Sequence, residues 1–325
     1  MGMVARRGVS VLIKLWLPIL VAVAHEAAPL RGEDGWNAIM DGLTEFDGPT
    51  FRDEVAEPLV QLSANAYRYP DVIHVPGWVP SPKVAPIAPG GGGMHALVYE
   101  EENGGESGRI VVAYRGTQIG TTIDCIADMC VDAAMWVLPD DCEINPPKCA
   151  LFDNATLDYF SQAVEYALKV RSAYPSASLL FTGHSLGGGL AILISAALST
   201  DPGYPVIAFG SAGTRTALQV RNLNLSAEHQ KRIVTIADQW DEIMRTSWDE
   251  QLGWVCLYES KINFVCKKCF ESPTCLSETI STRQGMLGGI FDGLYCKLCF
   301  LLTHYLAGLI HTIQKGARPA CEFLA

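Results

Sequence analysis

Apolar residues recur at helical spacing over residues 52–68, where Val55, Leu59, Leu62, Ala66 and Tyr67 share one face and predict a helix. Residues 69–93 are rich in Pro and Gly and end in Gly90–Gly93, a loop rather than a domain linker because core-like sequence follows at once. Ala96–Tyr99 and Ile110–Tyr114 flank an Asn103-Gly104-Gly105 turn and predict a hairpin or two adjacent strands. No clean period runs through 118–150. Residues 155–172 carry Leu157, Phe160, Ala163, Val164, Ala167 and Leu168 on one side of a helix, with Asn154 or Asp153 as its cap. Ala177–Phe181 then has the pattern of a buried strand, Leu190–Leu198 that of a buried helix, and Pro205–Phe209 and Ile233–Ala237 those of two further strands. Residues 286–313 are apolar but broken by Asp292, Lys297 and His304, which predicts a buried helical hairpin rather than a membrane span. Strands alternating with helices predict an α/β protein with a mostly parallel sheet and helices on both faces. No internal repeat is visible.

Candidate chemistry centres on Thr182-Gly183-His184-Ser185-Leu186-Gly187-Gly188, a G-x-S-x-G core set between the predicted strand and helix. Strand, sharp turn and helix around a serine form the context of a nucleophile elbow, in which the two glycines leave room where a Cβ would collide with backbone. An elbow serine needs a base, an acid and an oxyanion hole. In this architecture the triad runs Ser, acid, His along the chain. Of the seven histidines, His25, His74, His95 and His184 precede Ser185, and His229 precedes the best-placed acids, which leaves His304 and His311. His304 sits at a loop-to-helix junction and is the better placed of the two; His311 lies two turns further along the same predicted helix. The acid candidates are Asp238 and Asp241, just past the strand ending at Ala237, with Asp292 a third. One oxyanion donor is the backbone N–H of Leu186, directly after the nucleophile. The second belongs to the strand end Tyr114-Arg115-Gly116-Thr117, where Thr117 offers an N–H and a hydroxyl.

These motifs together resemble the class 3 lipases, the fungal-lipase-like branch of the α/β-hydrolases. Val111–Thr117 is similar to that family's F-R-G-T/S strand end, and Thr182–Gly188 matches its elbow. Ala208–Gly213 resembles its F-G-x-P strand without the proline. Asp241-Glu242-Ile243-Met244-Arg245 resembles its D-x-V-P-R acid segment, and Leu59–Tyr67 its N-terminal helix. The similarity runs over residues 52–310 in the family's order, and departs from it in a cysteine-rich insertion at 250–300. The resemblance implies an α/β-hydrolase fold, a triad of Ser185, Asp241 and His304, oxyanion donors Thr117 and Leu186, and no cofactor or metal. It also implies a lid after Thr117. Residues 118–150 include the apolar patch Met135–Leu138 suited to that task, together with four cysteines that fit an ordinary disulfide-stabilised loop equally well.

Composition adds the compartment. Arg6-Arg7, an apolar run and the small-x-small site Ala22-x-Ala24 describe a secretory signal peptide over residues 1–24, leaving 25–325 as one hydrolase domain. The formal net charge of −11 becomes about −14 once Arg6, Arg7 and Lys14 are removed. With no basic face, nucleic acid is excluded as a partner. Eleven cysteines in an exported chain imply disulfides, and the odd count leaves one thiol over. Export also argues against zinc at Cys266-x-x-Cys269 and Cys296-x-x-Cys299, which 26 residues separate. Two sequons, at Asn154 and Asn224, suit a secreted glycoprotein. The sequence therefore predicts a secreted carboxylic-ester hydrolase, first a triacylglycerol lipase and next a phospholipase A1 or feruloyl-type esterase, working on a lipid or ester substrate with no membrane span in the mature chain. A catalytically inactive binding protein on the same fold is the reading from another class.

Overall fold

The computed structural model describes residues 51–88, 93–104, 108–118, 128, 130–132, 154–198, 203–259, 266–267, 299–300 and 302–324. The expected signal peptide, Met135–Leu138 and most of the predicted lid and cysteine-rich insertion lie outside these residues.

The frame is one eight-stranded sheet whose strands lie side by side in chain order. They are β1 (Trp78–Pro80), β2 (Ala96–Glu101), β3 (Arg109–Tyr114), β4 (Ser178–His184), β5 (Val206–Phe209), β6 (Ile233–Asp238), β7 (Gly253–Tyr258) and β8 (Ala320–Leu324). β3 to β7 run parallel; β1 and β2 at one edge and β8 at the other are antiparallel to their neighbours. The helices are α1 (Glu57–Arg68), α2 (Asn154–Leu157), α3 (Tyr159–Ala173), α4 (Leu186–Ala197), α5 (Arg215–Val220), α6 (Ala227–Gln230), α7 (Glu242–Thr246) and α8 (Leu306–Gln314).

Strand order explains how both faces are covered. When parallel strands follow each other in sequence, right-handed crossovers put all their helices on the same side. That side holds α3, α4 and α5, packed on Ile110, Val112, Tyr114, Leu179, Phe181, Val206 and Ala208. The intervening strand positions, Val111, Ala113, Leu180, Ile207, Phe209, Val234 and Ile236, point the other way. There α1 and α8, from opposite ends of the chain, lie together over them. α4 is apolar all round and buried from Leu186 to Ala196, as a helix at the middle of a layer requires. Inside the sheet the Thr182 hydroxyl donates to the Ile207 carbonyl at 2.6 Å, so it accepts from Ser63 of α1 at 3.0 Å.

Four local expectations change. The helix predicted over 155–172 begins at Tyr159 after a separate turn, and its cap is Asp158, whose carboxylate accepts from the Ser161 N–H, rather than Asn154 or Asp153. The loop 69–93 contains β1, which pairs with β2. Residues 253–258, assigned to the cysteine-rich insertion, form β7, a strand of the sheet itself. Of the hairpin predicted over 286–313, the described residues are 299–300 and 302–313; they include α8, which leads into β8, a strand that sequence periodicity did not reveal. Two disulfides are described, Cys256–Cys321 between β7 and β8, and Cys266–Cys299. The latter joins one cysteine from each C-x-x-C motif.

Candidate active site

β4 ends at His184 and α4 begins at Leu186, so Ser185 alone makes the turn, with φ 55° and ψ −126°. A non-glycine residue in that region is strained and persists only where its surroundings hold it. Gly183 and Gly187 are what permit it. A Cβ on Gly183 would lie 2.4 Å from the Gly187 carbonyl carbon, and one on Gly187 would lie 2.2 Å from the Tyr114 carbonyl oxygen. The turn can be this sharp only where two side chains are missing.

The structure brings Ser185, His304 and Asp241 together. Ser185 Oγ is 3.0 Å from His304 Nε2, and His304 Nδ1 is 2.9 Å and 3.1 Å from the two oxygens of Asp241. Asp241 caps α7, with Oδ1 accepting from the N–H groups of Ile243 and Met244 at 2.9 and 3.2 Å. Those bonds orient the carboxylate before histidine meets it. Both partners of this contact are buried, Asp241 at 1% and His304 at 6% exposure. The His304 ring lies between Phe300, stacked at a centroid distance of 4.9 Å, and His184 at 4.8 Å.

The rival candidates go elsewhere. Asp238 turns its carboxylate back on the Trp240 N–H at 2.8 Å. His311 is exposed on α8. Asp292 lies outside the described residues.

At the other end of the site, β3 runs into Arg115-Gly116-Thr117. The Thr117 hydroxyl donates to Asp132 at 2.5 Å. That commits the hydroxyl proton, one of the two donors expected of Thr117, to Asp132. Leu186 is the first residue of α4, and its N–H has no acceptor within the helix. A buried ion pair braces the Thr117 loop: Arg115 Nη2 meets Asp128 at 3.0 Å, while Arg115 Nη1 lies 3.1 Å from both His95 Nδ1 and Gln118 Oε1. Asp128 also accepts from the Tyr159 hydroxyl at 2.7 Å and the Gln118 N–H at 2.8 Å. Burial above all, and then the Asp128 charge, pushes the Tyr159 phenol well up. Asp128, Cys130 and Val131, within the segment expected to form a lid, are themselves buried, and Val131 joins the core packed with α3 and α4.

Sequence reasoning missed Asp128, Asp132, Tyr159 and Tyr67. The first two lie in the stretch without periodicity, where nothing separates a buried carboxylate from a solvated one. Tyr67 was assigned only to the apolar face of α1, yet its hydroxyl lies 2.8 Å from His184 Nδ1. The one available signal was position, since Tyr67 is next to last in a helix that ends at the active-site edge of the sheet.

A family described as a Tle-like phospholipase domain matches residues 81–241, a span that takes in Thr117, Ser185 and Asp241. No curated protein sequence matches significantly. Among solved structures, the chain is similar to lipase II from Rhizopus niveus, at 13% identity over 66% of this chain and 82% of that one, with a TM-score of 0.41. It is similar to the Rhizomucor miehei lipase propeptide complex, at 14% identity over 74% and 81%, with a TM-score of 0.42. A further similarity is to a mutant form of MDLA from Penicillium cyclopium, at 15% identity over 66% and 82%, with a TM-score of 0.40.

Proposed function

We propose that this ester hydrolase, which resembles the class 3 lipases in fold and motif order, cleaves acyl esters of glycerides through Ser185, His304 and Asp241. The supporting observation is the unbroken line of hydrogen-bond distances from Ser185 Oγ through His304 to Asp241. His304 Nε2 takes the Ser185 proton as Oγ attacks the ester carbonyl, and Asp241 holds the Nδ1–H and stabilises the imidazolium. The developing oxyanion takes hydrogen bonds from the Leu186 and Thr117 N–H groups. His304 then passes its proton to the departing alcohol, and water, deprotonated by the same ring, releases the acid from the acyl-serine. No step needs a cofactor.

Triacylglycerol is the first substrate of this reading. The match to a phospholipase-like domain favours a second, the acyl ester of a glycerophospholipid. Rates on long-chain triglyceride emulsions, phospholipid vesicles and soluble p-nitrophenyl esters separate them. Emulsion turnover above that on vesicles supports the first; equal rates on soluble short-chain esters with no gain at an interface overturn both. Replacing Ser185 by Ala is expected to lower kcat on p-nitrophenyl butyrate by about 10⁶-fold. Retention of activity in that variant overturns the mechanism. Secretion belongs to the same proposal, supported by the disulfides.

A further inference from the structure

His184, directly before the nucleophile, is buried and has both ring nitrogens engaged. Nε2 lies 2.6 Å from the backbone carbonyl of His304, and Nδ1 lies 2.8 Å from the Tyr67 hydroxyl. A carbonyl only accepts, so Nε2 carries the proton. Nδ1 of the neutral ring is then an acceptor, and the Tyr67 hydroxyl donates to it. The chain of hydrogen bonds therefore runs from the Tyr67 O–H through the His184 ring to the His304 carbonyl.

These three groups come from three separate parts of the chain: α1, the end of β4 and the segment before α8. The chain therefore ties α1 to the backbone of His304 through the residue beside the serine, and the loop after β3 packs against it at Gly116. His304 needs such an anchor. It stands on no strand, 119 residues after Ser185, and Asp241 holds only its ring. Gly116 fits the same cradle: a Cβ there would fall 2.3 Å from Tyr67 Oη and 2.1 Å from the His184 carbonyl oxygen.

We propose that Tyr67 and His184 are positioning residues that hold the His304 main chain at the distance from Ser185 needed for proton transfer, and in register with the oxyanion loop. The proposal rests on the reading of His304 as the base. His184 is no alternative base, because its one lone pair is already taken by Tyr67.

The test uses the full chain with soluble p-nitrophenyl butyrate. Tyr67→Phe keeps the ring but removes the first link of the chain, and is expected to lower kcat about tenfold with KM within about twofold. His184→Met removes both bonds, with an expected loss of about 10²-fold, while His184→Gln restores a donor to the His304 carbonyl and recovers most of it. A variant set that lowers the melting temperature while kcat per fluorophosphonate-titrated site stays at the wild-type value overturns the proposal. A second readout is independent of turnover. In ¹⁵N-labelled protein at pH 7, His184 is expected as the Nε2–H tautomer, and Tyr67→Phe is expected to shift the His304 Nδ1–H resonance. An Nδ1–H or cationic His184, or an unmoved His304 resonance, overturns the proposal. A wild-type protein that hydrolyses no ester defeats the proposed function, and leaves the resonance experiment to decide the hydrogen-bond chain.

Discussion

Asp241 and Asp238 are three residues apart and follow the same strand, yet they differ in what their carboxylates meet. Asp241 faces His304, whereas Asp238 caps a turn. Asp241→Asn is therefore expected to lower kcat by about 10⁴-fold by stabilising the wrong imidazole tautomer, and Asp238→Asn by less than about tenfold. Steady-state rates of the two variants on a soluble ester check this. His184 provides a second residue-scale expectation. Burial, and then the neighbouring His304, hold its pKa well below the ordinary histidine value. The unfolded chain therefore binds a proton that the folded chain refuses, and stability falls with pH below about 6.5. The slope is at most about 1.4 kcal/mol per pH unit and lasts until the folded group itself titrates. Denaturant titrations between pH 7 and pH 5 are expected to show a shallower loss in His184→Gln than in the wild type.

Among elements, the two disulfides do different work. Cys256–Cys321 fastens β8 to the sheet edge, closing a loop of 65 residues, whereas Cys266–Cys299 ends five residues before His304. Thr303, between that disulfide and the base, donates at 2.8 Å to the Cys299 carbonyl and at 3.3 Å to the carbonyl of Trp240, which adjoins Asp241. Replacing Cys256 and Cys321 with Ala is expected to cost about 2–4 kcal/mol of stability with kcat at 25 °C unchanged. Replacing Cys266 and Cys299 is expected to lower kcat as well, since the segment carrying the base loses its anchor. Thermal melts and turnover measured together distinguish the two. At this scale the sequence was legible where a clear period marks the buried face, and not at β7, whose residues read as part of the cysteine-rich insertion. α1, the hairpin β2–β3, and the strand–turn–helix of β4 and α4 all announce themselves by period. It was not legible at β8, whose residues are half exposed at a sheet edge and owe their conformation to β7 and a disulfide. Nor was it legible at Asp128 and Tyr67, whose roles come from partners 13 and 117 residues away. Ser185 could be identified from its neighbours along the chain. His304 could only be ranked against His311, because what separates them is burial against Asp241.

At the scale of the molecule, order in space repeats order in sequence for all eight strands, and the face opposite the crossover helices is closed by the two ends of the fold. Strand neighbours can therefore pair as they emerge, and the elbow can form once β3 to β5 are present. The proposed triad is not complete until His304, and α1 lacks its partner until α8 follows. A chain made from its N-terminus thus carries a formed elbow without its histidine from the completion of β5 at Phe209 until His304 is added. Chains ending at residue 298 are expected to keep the sheet signature in far-ultraviolet circular dichroism, fail to react with a fluorophosphonate, and bind a hydrophobic dye through the uncovered face. The proposed base thus follows every parallel strand of the sheet in the chain, so the elbow serine stands without it while that sheet is being built.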